Sequence, residues 1–422
     1  MIITSVVIAV LLTVTAVAHF ITSFYFRTIV MLRADSSKPE NDYGLASIIM
    51  AVRGCDPGLR QALIRLLDQD YENYEVHLVV DHHKDDAWQV VHEVKEQFDD
   101  ECRLTIHEMK KPLKTCGLKC SSLLQGLEQI HPNSKYLVLM DSDVTPHCSW
   151  LSQLIAPLAD KKIGVVTGNQ WYEPEATNAG SLVRSLWYAG ALVPTAIFSN
   201  PWAGSFAMRM KDVRRAKLPK IWRKSIVDDG PIRQALKPLG LRIHFCPSLI
   251  MINRERCTMD FVNRYVSRTL TWSKMYEPTF LNTIIHCATT VGLLIAATIL
   301  MIAAAATATW NAALLLASSL LLTSIVNFMS YCVVRNAVSV SSNLENGRFK
   351  PMNLVRVFKL IMLTPFAYLI YGFSCMQAAV CQKIQWRQIT YQLHGRSGIK
   401  MLRYRRWVAE EETDEAASEI SI

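Results

Sequence analysis

The chain has 422 residues, a formal charge of +9, 50% hydrophobic residues and a mean hydropathy of +0.16, which is high for a wholly soluble protein and leaves room for two or three domains. The basic residues gather beside apolar spans and in the C-terminal region, the placement expected at an anionic cytoplasmic leaflet, so the charge points to membrane and away from nucleic acid. Eleven cysteines without a zinc-type CxxC pair read as reduced thiols, mostly buried.

Met1 to Phe26 contain no Lys, Arg, Asp or Glu, long enough to cross a bilayer as a helix. Ala16-Val17-Ala18 resembles a signal-peptidase site, but no positive region precedes it and the apolar run continues past it. Arg27, Arg33 and Lys38 follow, so residues 1–26 read as an uncleaved anchor with the next part of the chain in the cytosol.

Residues 43–275 read as one soluble α/β domain. Leu45 to Val52 is an apolar run of the buried-strand type, followed by the polar turn Arg53-Gly54-Cys55-Asp56-Pro57-Gly58. Leu59, Leu63, Leu66 and Leu67 then recur at helical spacing. Tyr74 to Asp81 is a second strand ending on an acid. A charged helix, a strand in RLTIHEM and a helix from about Lys119 to Ile130 come next. His82 and His83 stand near Asp85 and Asp86, a grouping that mimics a metal cluster but reads more readily as a solvated loop. Cys116 and Cys120 share a helix face but lack further partners at metal-ligand spacing.

Tyr136 to Pro146, YLVLMDSDVTP, is the centre of this pattern: a buried strand runs straight into Asp141-Ser142-Asp143. Ligands in open α/β sheets bind beyond such strand ends. Two carboxylates one residue apart there suit a hard divalent cation, Mg²⁺ or Mn²⁺, with phosphate oxygens as its other ligands. Strands alternating with helices imply right-handed crossovers and one parallel sheet. The turn after Val52, Asp81 and the Asp141/Asp143 pair then share one edge, a constellation suited to a nucleoside diphosphate.

Downstream, Leu182 to Phe198 is long, apolar and aromatic, either an amphipathic element lying on the bilayer or a core helix. Glu277 to Arg335 bracket 57 uncharged positions, enough for two spans with a turn near Thr307 to Asn311. Arg335, Arg348, Lys350, Arg356 and Lys359 against Glu345 make the following connection cytoplasmic. Leu360 to Gln382 is a third uncharged run, interrupted by Pro365 and Gly372, so residues 279–382 read as transmembrane helices. Counting spans sends the 383–422 tail outside, whereas Lys383, Arg387, Arg403, Arg405 and Arg406 place it inside. Either the third run is re-entrant or the tail breaks the charge rule. Glu410 to Ile422 are acidic and lack a core-forming pattern.

The order of IIMAVRG, LLDQDYENYEVHLVVD, GLKCSSLLQGL, YLVLMDSD, WAGSFAMR and VDDGPI resembles the membrane-bound inverting glycosyltransferases of the second family, with the GT-A fold, in the ceramide-glucosyltransferase-like branch. The resemblance spans about Ala46 to Trp272. It implies a Rossmann-like nucleotide-diphospho-sugar transferase domain, a UDP-sugar donor, a membrane lipid acceptor and a divalent metal. By the same resemblance Asp81 contacts the uracil, Lys119 lies near the donor, Asp141 faces the ribose and Asp143 ligates the metal. Asp229 matches the catalytic base, although Asp before Gly-Pro is also a good helix N-cap. Gly204 and Ser205 match the small-residue turn beneath the transferred sugar, while Trp202 either stacks on a sugar or fills core. Arg268 matches the arginine of the family's membrane-proximal motif. Tyr265 and Thr269 depart from that motif, and Trp272 stands one turn on from its tryptophan position. The departure disfavours a processive polysaccharide synthase. The intact acids disfavour a non-enzymatic membrane protein with a degenerate nucleotide domain.

Overall fold

A computed structural model of the chain describes residues 1–33, 44–99, 103–342, 349–395 and 398–407. Lys38, Tyr43, Glu345, Arg348 and the acidic stretch 410–422 lie outside the described residues.

Helix α1 (Ile2–Arg33) is followed by β1 (Ala46–Val52), α2 (Leu59–Leu67), β2 (Tyr74–Val80), α3 (Asp86–Phe98), β3 (Leu104–Glu108), α4 (Leu118–Leu127) and β4 (Tyr136–Met140). These strands are parallel in the order β3-β2-β1-β4, as the alternation predicts. Their apolar runs are continuous because both faces are covered. Ile48, Met50, Val76 and Leu78 meet the helices on one side, and Ile49, Leu137 and Leu139 meet α4 on the other. Burying each such side chain contributes about 1.5–3 kcal/mol.

The parallel pattern then breaks. After α5 (Trp150–Ile155) and β5 (Ile163–Tyr172), α6 (Ala179–Phe198) packs against α1 and the later apolar helices rather than across the sheet. It starts and ends near the carboxyl edge, so β6 (Ser205–Arg209) enters from that edge and runs antiparallel between β4 and β5. Short helices α7 (Met210–Arg215), α8 (Leu218–Trp222) and α9 (Ile232–Leu236) lead to β7 (Arg242–Asn253), parallel to β5, and to α10 (Met259–Tyr276). α6 is therefore an internal helix, sandwiched between sheet and apolar helices, with Phe198 exposed at its end.

Helices α11 (Phe280–Ala306), α12 (Trp310–Ser341) and α13 (Leu354–Val380), together with α1, are the four described helices long and apolar enough to cross a membrane. The break at 307–309 falls in the expected turn. α1 and α12 run past the uncharged stretches, because Arg335 continues the helix and pairs with buried Glu173 at 2.7 Å. His19, Asn327 and Tyr368 join α1, α12 and α13 by hydrogen bonds, and His286 links α11 to His19 at 3.0 Å. Such polar contacts fix which helix faces meet when lipid gives no apolar preference.

α13 begins and ends against the α/β half of the molecule. At its start Arg356 donates to Pro174 O at 3.0 Å, and Lys359 to Thr177 O at 3.2 Å. At its end Lys274 of α10 donates to Ala378 O and Ala379 O at 3.0 and 2.7 Å. The tail is correspondingly more than a basic extension. β8 (Lys383–Trp386), β9 (Ile389–His394) and β10 (Gly398–Arg403) form an antiparallel sheet. Its buried Ile389, Tyr391, Ile399 and Met401 pack with Met275 and Tyr276. Short strands among many charges leave little periodic signal, so composition alone concealed them.

Candidate active site

Register places the site. Val52 lies beside Val80 and Ile49 beside Leu139, so the segments leaving β1, β2 and β4 emerge along one edge. Met140 pairs with Ser205, which brings the turn 202–204 to the same edge. Arg53 to Asp56, Asp81 to Asp85 and Asp141 to Asp143 consequently collect there, as predicted from the strand ends.

The loop between α8 and α9 supplies the opposing acids. Trp222 Nε1 donates to Asp228 O at 2.9 Å, and Gly117 N donates to Ser225 O at 2.8 Å. A Cβ on Gly117 would lie 2.1 Å from Ile226 O, so only glycine permits this approach of α4 to the loop. The approach sets Lys119 between two acids: its Nζ is hydrogen-bonded to Asp141 Oδ1 and lies 3.0 Å from Asp228 Oδ2. Burial opposes the lysine charge, but Asp141 and Asp228 outweigh it and hold Lys119 above its ordinary pKa.

Asp229 is half-buried and accepts the Ala203 N–H at 3.4 Å. Its backbone oxygen accepts Ile232 N–H at 3.0 Å, while its side chain makes no cap to α9. The carboxylate is thus left for chemistry. Burial first, then the Asp228 and Asp141 charges, push its pKa up to about 7. Asp228, fully recessed, is raised by burial and Asp141 against the pull of Lys119.

Asp143 makes no hydrogen bond or ion pair among the described residues. Burial, then Asp141, Asp56 and Glu255, raise its pKa well above the carboxylate range. A carboxylate without a donor, crowded by other acids, is what a divalent cation would relieve. Oxygen donors from Asp143 and Asp141 suit Mg²⁺ or Mn²⁺. The residues present therefore fit the metal.

The remaining predicted residues fall into place differently. Ser205 is fully buried and its hydroxyl accepts Trp150 Nε1–H at 2.9 Å, a packing role. A Cβ on Gly204 would strike the Trp202 ring at 2.1 Å, and that ring packs partly on the core. Arg268 on α10 lies over Tyr265 at 5.9 Å, half-buried and with no hydrogen-bond partner among the described residues. Burial lowers its pKa to about 10, with Tyr265, Tyr172 and Asp143 pulling upward. Arg264, by contrast, is exposed and paired to Asp260. Trp272 packs towards the C-terminal sheet rather than the acids.

Asp81 is deeply held. It pairs with Arg53, and its oxygens also accept the Tyr404 hydroxyl at 3.0 Å and the Trp407 N–H at 3.2 Å. These C-terminal partners, with Arg387 on Asp56 at 2.7 Å, escaped the sequence reading. So did the ring cluster of Tyr172, Tyr188 and Tyr265, centroids 4.8 and 5.9 Å apart. Asp85 caps α3 through Ala87 N and accepts Gly54 N–H at 2.9 Å, with burial raising its pKa to about 6. It stands apart from His83, whose acid partner is Glu108 at 2.9 Å.

Residues 10–399 match the profile of glycosyl transferase family 21. The chain has 16% identity and a TM-score of 0.53 with a mannosyltransferase from Pyrobaculum calidifontis solved with GDP-Man and Mn²⁺, covering 79% of this chain and 98% of that one. At that identity the likeness concerns the GT-A fold. A glucosyl-3-phosphoglycerate synthase from Mycobacterium tuberculosis overlaps less, with 14% identity, a TM-score of 0.36, and 57% and 81% of the two chains covered. The chain belongs to glycosyl transferase family 21 and is a glycosyltransferase, with family 21 standing in place of the second family that its motifs resemble.

Proposed function

We propose that this family 21 glycosyltransferase moves a hexose from a UDP-sugar to the hydroxyl of a membrane lipid of the ceramide or diacylglycerol type, with inversion. The observation that carries the reading is that one sheet edge holds both an Asp143 with no partner among the described residues and an Asp229 whose pKa is pushed up to about 7. A bound Mg²⁺ or Mn²⁺ supplies Lewis-acid stabilisation of the departing diphosphate, worth several kcal/mol.

The chain's own residues do the rest. Asp143 and Asp141 would hold the metal, with Lys119 fixing the Asp141 carboxylate. Asp81 orients the base: a carboxylate has about four acceptor positions, and Arg53, Tyr404 and Trp407 fill three, which leaves one for a uracil N–H. Asp229 takes the proton from the incoming hydroxyl, a contribution of about 10²- to 10⁴-fold for a well-placed base. A single displacement between base and leaving group inverts the sugar carbon. The turn from Trp202 to Gly204, brought to this edge by the pairing of Met140 with Ser205, is where the sugar would lie.

Membrane placement follows from charge and contact. α1, α11 and α12 cross the bilayer, while α13, tied to the soluble half at both ends, lies along the interface. That leaves the C-terminal sheet on the same side as the catalytic domain, and the basic flanks assign that side to the cytosol. The acceptor hydroxyl arrives at the interface past α6, α10 and α13, where the rings of Tyr172, Tyr188 and Tyr265 cluster between β5, α6 and α10. Purified protein in detergent, given UDP-sugars, Mg²⁺ or Mn²⁺ and extracted lipids, tests the reading by mass spectrometry of glycolipid products.

A further inference from the structure

The two-residue turn between β8 and β9 is unusual in composition. Trp386 pairs with Ile389, so Arg387 and Gln388 alone close the hairpin, with φ of 40° and 64°. Such turns favour Asn-Gly, and each ordinary side chain held in the left-handed region costs about 1–2 kcal/mol. Strain of this kind persists where the surroundings impose it, commonly at functional sites.

The surroundings here are the donor edge. Arg387 reaches Asp56 Oδ1 at 2.7 Å and the carbonyl of Arg53, and its own carbonyl accepts Arg53 Nε–H at 3.1 Å. Its side chain is only 7% exposed. Its Nε is buried with no partner among the described residues. Asp56 in turn accepts the Ser142 hydroxyl at 2.5 Å, which ties the hairpin tip to the segment bearing Asp141 and Asp143. Arg268, with no hydrogen-bond partner among the described residues, lies close enough to Asp143 and Arg387 for both charges to act on it. Two guanidinium groups near Asp143, which has no partner among the described residues, make sense if a multiply charged anion joins the metal there.

We propose that Arg387 is a diphosphate-binding residue of the donor site, delivered by the C-terminal sheet, so that a segment beyond the last apolar helix completes a pocket begun by β1, β2 and β4. This rests on the UDP-sugar reading above. Arg387 holds the β-phosphate oxygens as charge builds on the leaving group, while Asp56 keeps its guanidinium plane in place.

Full-length protein in nanodiscs is titrated calorimetrically with UDP and UMP in Mn²⁺, comparing wild type, Arg387→Ala, Arg387→Lys and Asp143→Ala. Loss of a charged hydrogen bond predicts UDP affinity about 10- to 100-fold weaker in Arg387→Ala, with UMP changed less than about threefold. Arg387→Lys should recover part of the loss. Because Arg387→Ala strands Asp56, the double variant Asp56→Asn/Arg387→Ala is measured too, and weak UDP binding in a normally melting double variant supports the proposal. UDP binding unchanged in that double variant, while Asp143→Ala loses it, overturns the role of Arg387 and leaves the donor reading intact. Wild type that binds neither nucleotide overturns both.

Discussion

Asp229→Asn is the sharpest substitution this site offers. The carboxyl sits near pH 7 because it is recessed and faces Asp228 and Asp141. For a base with that pKa, about a tenth is ionised at pH 6 and about nine-tenths at pH 8, so kcat/KM should rise roughly tenfold between them. The amide cannot accept the proton, and turnover should fall by about 10²- to 10⁴-fold at every pH. Donor binding should stay near wild type, since the side chain touches only the Ala203 N–H. Stability follows a separate sign. A carboxyl whose folded pKa is raised above its unfolded value loses stability as pH climbs through that interval, so the neutral amide should melt no lower than wild type at pH 8. Radiolabelled sugar transfer at saturating acceptor, with a parallel thermal melt, reads all three quantities. Turnover within about threefold of wild type, or the same acidic limb persisting in the variant, would refute the assignment of the base.

Other outcomes follow from neighbouring contacts. Asp143→Ala should abolish Mn²⁺-dependent UDP binding by calorimetry, and should raise the melting temperature of the metal-free protein by relieving acid crowding. Gly117→Ala must push against Ile226 O; overpacking of this kind costs about 1–3 kcal/mol in a denaturant melt and should also weaken transfer by displacing Lys119. Arg335→Ala breaks its pair with Glu173, which is 6% exposed. Arg356 keeps a weaker contact to that glutamate at 3.3 Å, so the loss should fall near the lower end, about 3 kcal/mol. Cysteines placed at exposed Lys84 and Gln382 should react with an impermeant maleimide from the same side of sealed vesicles; opposite sidedness would make α13 a full crossing.

The donor edge was legible because its signals are local. β1, β2 and β4 announce themselves as apolar runs, and two of them, β2 and β4, end directly on acids, so parallel register alone gathers Asp81, Asp141 and Asp143. Lys119 and Asp229 were readable from resemblance, yet their electrostatic coupling depends on the close approach at Gly117, which no pattern displays. Arg387, Tyr404 and Trp407 were hidden for a different reason. Each contributes only through a contact more than 300 residues away in the chain, and the turn that aims Arg387 lacks the glycine that would have marked it. Hydropathy could not orient α13 either, because a lipid-facing stripe looks alike on a crossing helix and on one lying in the interface. The pair of polar anchors at its ends is what favours the interfacial placement proposed above.

The anomeric configuration of the product reports on the displacement itself. Wild-type protein in nanodiscs, supplied with an α-linked UDP-hexose, Mn²⁺ and a lipid bearing a primary hydroxyl, should yield a β-linked glycolipid by mass spectrometry and NMR, and neither Asp143→Ala nor Asp229→Asn should yield it. An α-linked product, or equal product from the Asp229→Asn protein, would contradict a single displacement driven by that carboxylate.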